Sequence, residues 1–95
     1  MTSNTKLIIS PSAHRDWRVI LHYTRRRWGT AQEDAYDDVI WSACQRIQAF
    51  PEIGRQVSQD RPELREHILE HHTIVYRYQD HTVTILRIVN PRRRR

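Results

Sequence analysis

Three histidines, His67, His71 and His72, and three arginines, Arg65, Arg77 and Arg87, fall in the last third of this 95-residue chain. Their types suit chemistry on a phosphate. An imidazole titrates near neutrality and can serve as a general base. A guanidinium forks onto phosphate or carboxylate through two-point contacts. Zinc-type chemistry is not expected. No cysteine lies near the histidines, and the adjacent pair His71-His72 would point to opposite faces of a strand. The plain alternative for the three histidines is a polar hairpin end. For the arginines it is surface pairing with carboxylates. Arg77 and Arg87 belong to neighbouring strands, so they can also form one anion- or protein-contacting patch, continued by Arg92, Arg93, Arg94 and Arg95.

Other routes to catalysis are poorly served. Gly29 and Gly54 are the only glycines, so there is no glycine-rich phosphate loop. No serine nucleophile motif is present. Asp37 and Asp38 read as a solvated helix face. Trp17 and Trp28 fall on an apolar helix stripe and are expected in the core. Trp41 falls beside the stripe of the following helix, as a partly exposed anchor for a protein partner would. No cofactor and no metal is expected.

The bulk numbers narrow the class. A chain of this length makes one domain, residues 1–95, and buries only about 60–65% of its unfolded surface. Hydrophobic residues make up 38% of it, and the mean hydropathy is −0.80. The apolar runs, such as Leu7-Ile8-Ile9, are far shorter than the roughly 20 residues of a membrane span or the 7–15 of a signal-peptide core. The expected location is cytoplasmic, with no membrane partner. Cys44 is the only cysteine, which excludes an internal disulfide and fits a reducing compartment. The net charge is +5, and Arg92 to Arg95 supply four of those units, leaving +1 for residues 1–91 (5 − 4). Basicity is therefore concentrated in a C-terminal stretch, residues 91–95.

The elements that must position these groups follow from pattern. Lys6 to Ser10 reads as a strand. Ser10-Pro11 starts a helix, with Ser10 as cap and Pro11 where no backbone bond is lost. Ala13, Trp17, Ile20, Leu21, Thr24 and Trp28 recur at helical spacing, and Gly29 ends the run. Thr30 and Glu33 have the spacing of a capping box for a second helix. Its apolar face is Tyr36, Val39, Ile40, Ala43, Ile47 and Phe50, and Pro51 stops it. The short connection makes the two helices an antiparallel hairpin. Residues 55–63 read as a loop. Leu64 to Leu69, Thr73 to Tyr78 and Thr82 to Val89 read as strands, with a hairpin turn at Gln79-Asp80-His81. The expected architecture is α+β: a two-helix antiparallel hairpin on a small, mainly antiparallel sheet, in the order β-α-α-β-β-β.

Taken in order, several segments resemble the ParE branch of the RelE/ParE toxin superfamily over about residues 6–93. They are Ile9-Ser10-Pro11, then Trp17 with Ile20 and Tyr23, then Arg27-Trp28-Gly29. Next come Phe50-Pro51-Glu52-Ile53-Gly54-Arg55 and Leu64-Arg65. Last are His72 before Ile74-Val75-Tyr76-Arg77, and Ile85-Leu86-Arg87-Ile88. The resemblance implies the same fold and the toxic half of a type II toxin–antitoxin pair, neutralised by a small cognate antitoxin. Promoter DNA would be met only through the antitoxin complex. ParE members poison DNA gyrase by trapping cleaved DNA, without being enzymes; RelE members cut messenger RNA on the ribosome. The RelE alternative would draw on Arg65, His67, His72, Arg77 and Arg87. However, this chain has no Lys after Lys6 and no Tyr after Tyr78, and Glu66-His67 stand where RelE relatives are rich in lysine. The ParE side makes Arg87, Arg92 and Arg93 the expected target contacts, Trp41 a candidate antitoxin contact, and plasmid stabilisation the expected setting. Asn90-Pro91 departs from the pair that relatives often carry there. A third possibility is a non-toxic orphan binding module.

Overall fold

A computed structural model describes residues 4–91. Its elements are β1 (Lys6–Ile9), α1 (Pro11–Trp28), α2 (Thr30–Ala49), β2 (Arg55–Gln56), β3 (Leu64–Ile68), β4 (Thr73–Gln79) and β5 (Thr82–Val89). The five strands form one sheet in the order β1-β5-β4-β3-β2. β1 runs parallel to β5, and every other pairing is antiparallel. The expected order of elements is present, with one addition. β2 is a two-residue strand inside the segment expected to be loop, and it pairs Arg55 with Glu66 and Gln56 with Arg65. Two residues are too few for a periodic signal in the sequence.

α2 supplies most of the helical core. Tyr36, Ile40, Ala43, Cys44 and Ile47 are buried at the i, i+4, i+7, i+8, i+11 spacing of one helix face. They share the core with Ile74, Tyr76, Val83, Ile85 and Ile88 from β4 and β5. Leu7 and Ile9 of β1 pair with Val83 and Ile85 and pack against the same core, which fixes the register of the parallel pair. α1 is more peripheral. Only Ala13 and Thr24 are buried on it, with Trp17 and Ile20 packed against the core edge.

The start of α1 is as expected. The Ser10 hydroxyl accepts from the Ala13 N–H at 3.1 Å, and Pro11 follows it. The start of α2 is not. Gly29, with φ of 94°, holds the capping position, and Thr30 lies inside the helix making no side-chain cap bond. The same Gly29 N–H closes α1 on the Arg25 carbonyl at 2.8 Å. One residue thus ends one helix and begins the next. The β4–β5 turn is tighter than expected: only Asp80 and His81 form it, with φ of 55° and 57°. Two successive positive φ values suit the right-handed twist of the flanking strands.

Trp28 was placed in the core by periodicity but is 60% exposed. It follows the buried Thr24 by one turn as the last residue of α1, where its ring packs edge to face on Tyr23 instead. Asp37 is not simply solvated. Its Oδ1 accepts the Trp17 indole N–H at 2.8 Å and so ties α1 to α2.

Candidate functional site

Arg65 belongs to a structural lock. It lies opposite Tyr76 on the helix-facing side of the sheet, and its guanidinium donates to the Gly54 carbonyl at 2.6 Å and to that of Glu52 at 3.4 Å. The Tyr76 hydroxyl donates to the Pro51 carbonyl at 2.6 Å and accepts from the Gly54 N–H at 2.9 Å. A Cβ on Gly54 would come within 2.6 Å of the Glu66 carbonyl oxygen and 2.7 Å of the Tyr76 hydroxyl. Phe50-Pro51-Glu52-Ile53-Gly54-Arg55 is therefore more than a helix stop. Its glycine is needed for close approach to β3 and β4, and its carbonyls engage Tyr76 and Arg65. Burial pushes the Tyr76 hydroxyl above its ordinary pKa, so it serves as a neutral donor and acceptor.

The histidines lie at the opposite end of β3 and β4. The Tyr36 hydroxyl and His72 Nδ1 are 2.8 Å apart, with the His71 ring 6.2 Å from that of Tyr36. Burial lowers the His72 pKa, with a further push from His71. Burial also lowers that of His67, helped by Arg46. Both rings are therefore held neutral. The Tyr36 hydroxyl and His72 Nδ1 share a single hydrogen bond whose direction follows the imidazole tautomer. Tyr36 is itself pushed upward by burial. The cluster pins α2 to the β3–β4 turn. Among the described residues, no three His, Cys, Asp or Glu side chains group as a metal site.

Arg77 and Arg87 occupy neighbouring strands, as expected, but their surroundings differ. Arg77 pairs with Leu64 and Thr84 on the sheet face away from Tyr76, and so away from Arg65. Arg87 follows a bulge that leaves Leu86 without an opposite residue. Its guanidinium grips Asp16 of α1 through two hydrogen bonds, at 2.7 and 3.2 Å. The bond to Asp16 raises the already high Arg87 pKa. Asp16 was not singled out from the sequence, and a lone carboxylate in a basic helix was the only signal available. The five residues of the RNA-cleaving alternative are divided between the two sheet faces and hold different partners. Arg65 and His67 share the Tyr76 face two residues apart on β3, Arg77 lies on the other face, His72 meets Tyr36, and Arg87 binds Asp16. Arg92 and Arg93 lie outside the described residues.

Trp41 is 44% exposed, its ring 6.2 Å from that of Trp17. Phe50 and Ile53, at 66% and 44% exposed, form a second apolar surface beside Pro51, Glu52 and Tyr78. The first was anticipated by its position beside the stripe. The second was hidden because Phe50 reads as the last core residue of α2. No helix is long and apolar enough to cross a membrane among the described residues.

Comparison with known proteins gives a consistent result. Residues 7–95 match the model of the family described as ParE toxin of type II toxin-antitoxin system, parDE. Toxin ParE1 of Mycobacterium tuberculosis is 30% identical over 90 residues, spanning 94% of this chain and 92% of that protein. Toxin ParE of Escherichia coli is 34% identical over 70 residues, 74% of this chain and 68% of that protein. A chain of the chromosomal ParDE TA system from P. aeruginosa superposes with a TM-score of 0.78 at 19% identity, covering 94% of this chain and 98% of that one. A chain of the toxin-antitoxin complex RelBE2 from Mycobacterium tuberculosis superposes with a TM-score of 0.64 at 19% identity, covering 95% and 94%. These structural likenesses show a shared fold.

Proposed function

The chain belongs to the ParE toxin family of type II toxin–antitoxin systems, and from that premise we propose that it acts by binding DNA gyrase and trapping cleaved DNA, without catalysis of its own. A cognate antitoxin neutralises it. The observation that carries this reading is the dispersal of the groups RNA cleavage would need. A general base and a phosphate-holding cation must meet around one phosphate. Here Arg65 is spent on backbone carbonyls, His72 is held against Tyr36, Arg87 is bound to Asp16, and Arg77 lies across the sheet. A binding toxin needs no such convergence, only an exposed contact surface.

Two such surfaces are available. The exposed part of Arg87, with Arg92 and Arg93 beyond the described residues, forms the target-contacting end. Trp41 and the Phe50–Ile53 surface offer apolar anchors for the antitoxin. Aromatic groups that are half-exposed and backed by a packed neighbour, as Trp41 is by Trp17, are the residues an interface buries to most effect.

The test is a gyrase supercoiling and cleavage assay with the purified chain and with a variant lacking Arg92 to Arg95. Accumulated cleaved DNA that disappears with the tail supports both the target and the contacting end. No cleaved DNA from folded protein in stoichiometric excess overturns the gyrase assignment.

A further inference from the structure

We propose that the outward face of α1 is a sequence-independent binding surface for the phosphate backbone of duplex DNA. This surface is distinct from the C-terminal arginines, and its assignment does not depend on gyrase as the target.

α1 carries five arginines, Arg15, Arg18, Arg25, Arg26 and Arg27, against one carboxylate, Asp16. That carboxylate is turned to β5, where Arg87 and the Ile88 N–H occupy it. All five arginines are exposed, as are His14 and His22. Among the described residues, the ion pairs are Arg55–Glu66, Arg61–Glu63 and Arg87–Asp16, so none neutralises an α1 arginine. Arg15, Arg18, His22 and Arg26 follow at i, i+3, i+7 and i+11, a single stripe one residue per turn. At a rise of about 1.5 Å per residue the stripe is roughly 16 Å long. Duplex DNA carries one negative charge per about 1.7 Å of axis with both strands counted, so a stretch of roughly 16 Å holds on the order of ten phosphates, of which one face presents a few to the stripe.

Helix stability does not account for the stripe. Arginines in the last turn suit the negative end of the helix dipole, which explains Arg25 to Arg27. Arg15 and Arg18 lie in the first half, where the dipole gives cations no such benefit, and the first turn carries no acidic residue. Their i, i+3 spacing places like charges side by side, which costs a few tenths of a kcal/mol. α2, by contrast, has Glu33, Asp34, Asp37 and Asp38 in its first half. The hairpin is polarised, with its cations gathered on the outer helix.

The shape of the face selects the partner. Arg15, Arg18, His22 and Arg26 border a shallow, open depression along α1 in which Val19, 68% exposed, and Tyr23 are the apolar members. Tyr23 and Trp28 stand at its end, edge to face, and the Arg27 guanidinium lies 5.9 and 5.4 Å from their ring centres. Both rings remain 55% and 60% exposed, but they stand at one end of the stripe, so stacked bases would engage only that end while phosphates meet the cations along its length. An acidic helical peptide would need a row of apolar anchors along its length, and the depression on this face offers Val19 and Tyr23 alone. A regular array of phosphates needs only the cations.

The experiment is fluorescence anisotropy of the full chain against a mixed-sequence duplex of about 25 base pairs across a salt series. The variant R15Q/R18Q/R26Q changes only exposed side chains, and its circular dichroism and melting temperature report its folding. The parent chain is expected to bind, with log K falling linearly in log salt. The variant is expected to bind at least about tenfold more weakly, with a slope shallower by about 2 to 3, close to 0.9 per lost phosphate contact. Folded variant protein binding within twofold of the parent overturns the proposal, as does failure of the parent to bind at low salt. Tighter binding to single-stranded RNA or to an acidic peptide, lost in the same variant, also overturns it and assigns the face to that partner. A negative gyrase assay leaves this result untouched, because no gyrase is present.

Discussion

Asp16 and Arg87 are 71 residues apart in sequence, yet one carboxylate serves both the Arg87 side chain and the backbone beside it. Its Oδ2 takes the Arg87 Nε–H at 2.7 Å and the Ile88 N–H at 2.9 Å. The Ser10 hydroxyl donates to the Leu86 carbonyl at 3.0 Å. β1 ends opposite Ile85, so the last residues of β5 lack a strand neighbour on that side. α1 supplies side-chain partners instead.

Asp16→Ala should therefore destabilise the fold more than Arg87→Ala. The arginine is exposed, and its ion pair contributes only about 0–1 kcal/mol. Removing the carboxylate also strips the Ile88 N–H of its partner, for a total of about 1–3 kcal/mol. Urea unfolding of both variants checks the order, and equal losses would contradict it. Arg87→Gln should leave the melting temperature nearly unchanged, so a loss of toxicity in it would report lost target contact.

Gly54→Ala should destabilise by about 1–3 kcal/mol, because the added carbon meets backbone and a buried tyrosine with no room to relax. Tyr76→Phe leaves the Pro51 carbonyl and the Gly54 N–H without the hydroxyl, and should cost a similar amount. Thermal unfolding of each variant tests this. A Gly54→Ala protein as stable as the parent would show that the loop is not held against β3.

Stability should decline under mild acid. His67 and His72 both have folded pKa values below their unfolded ones, so the unfolded chain binds more protons as pH falls. Their stabilisation is complete above an unfolded pKa of about 6.5 and is lost as pH falls from there through the folded values. Protonation of His72 also places a proton on Nδ1, facing the Tyr36 hydroxyl. Urea midpoints between pH 7.5 and 5 should fall, and His72→Gln should flatten the decline. An unchanged midpoint would count against neutral histidines at the β3–β4 turn.

Cys44 is fully buried, and burial pushes its thiol up to about 12. It should resist thiol reagents in the folded state and react fully in denaturant. Modification at neutral pH on the timescale of a free thiol would show that α2 opens locally.

Much of this was legible in the sequence, for physical reasons that can be named. Ser10-Pro11 and Gly29 mark helix ends through local backbone chemistry, so they are read correctly without tertiary knowledge. The order of strands and helices follows from periodicity, and so does most of the α2 core. What depends on a distant partner was hidden. Thr30 and Glu33 have capping spacing, but Gly29 takes the cap because it must also turn the chain. Trp28 continues the α1 stripe by spacing, yet its ring packs on Tyr23 and stays exposed. Arg65 and Tyr76 look like ordinary strand residues, and only the folded 51–54 loop gives them their carbonyl and amide partners. Arg87 reads as a free cation until Asp16 is brought beside it.

The pairing of Leu7 with Val83 also sets a schedule during synthesis. β1 and both helices leave the ribosome well before β5, the strand that lies between β1 and β4 and completes the core under α2. A chain that lacks β5 has no strand for its first strand to pair with and no Val83, Ile85 or Ile88 to complete the core. The fold, and any surface it presents to a partner, is therefore assembled only after Ile85 and Ile88 have been made. A growing chain cannot present the folded surfaces of the finished protein.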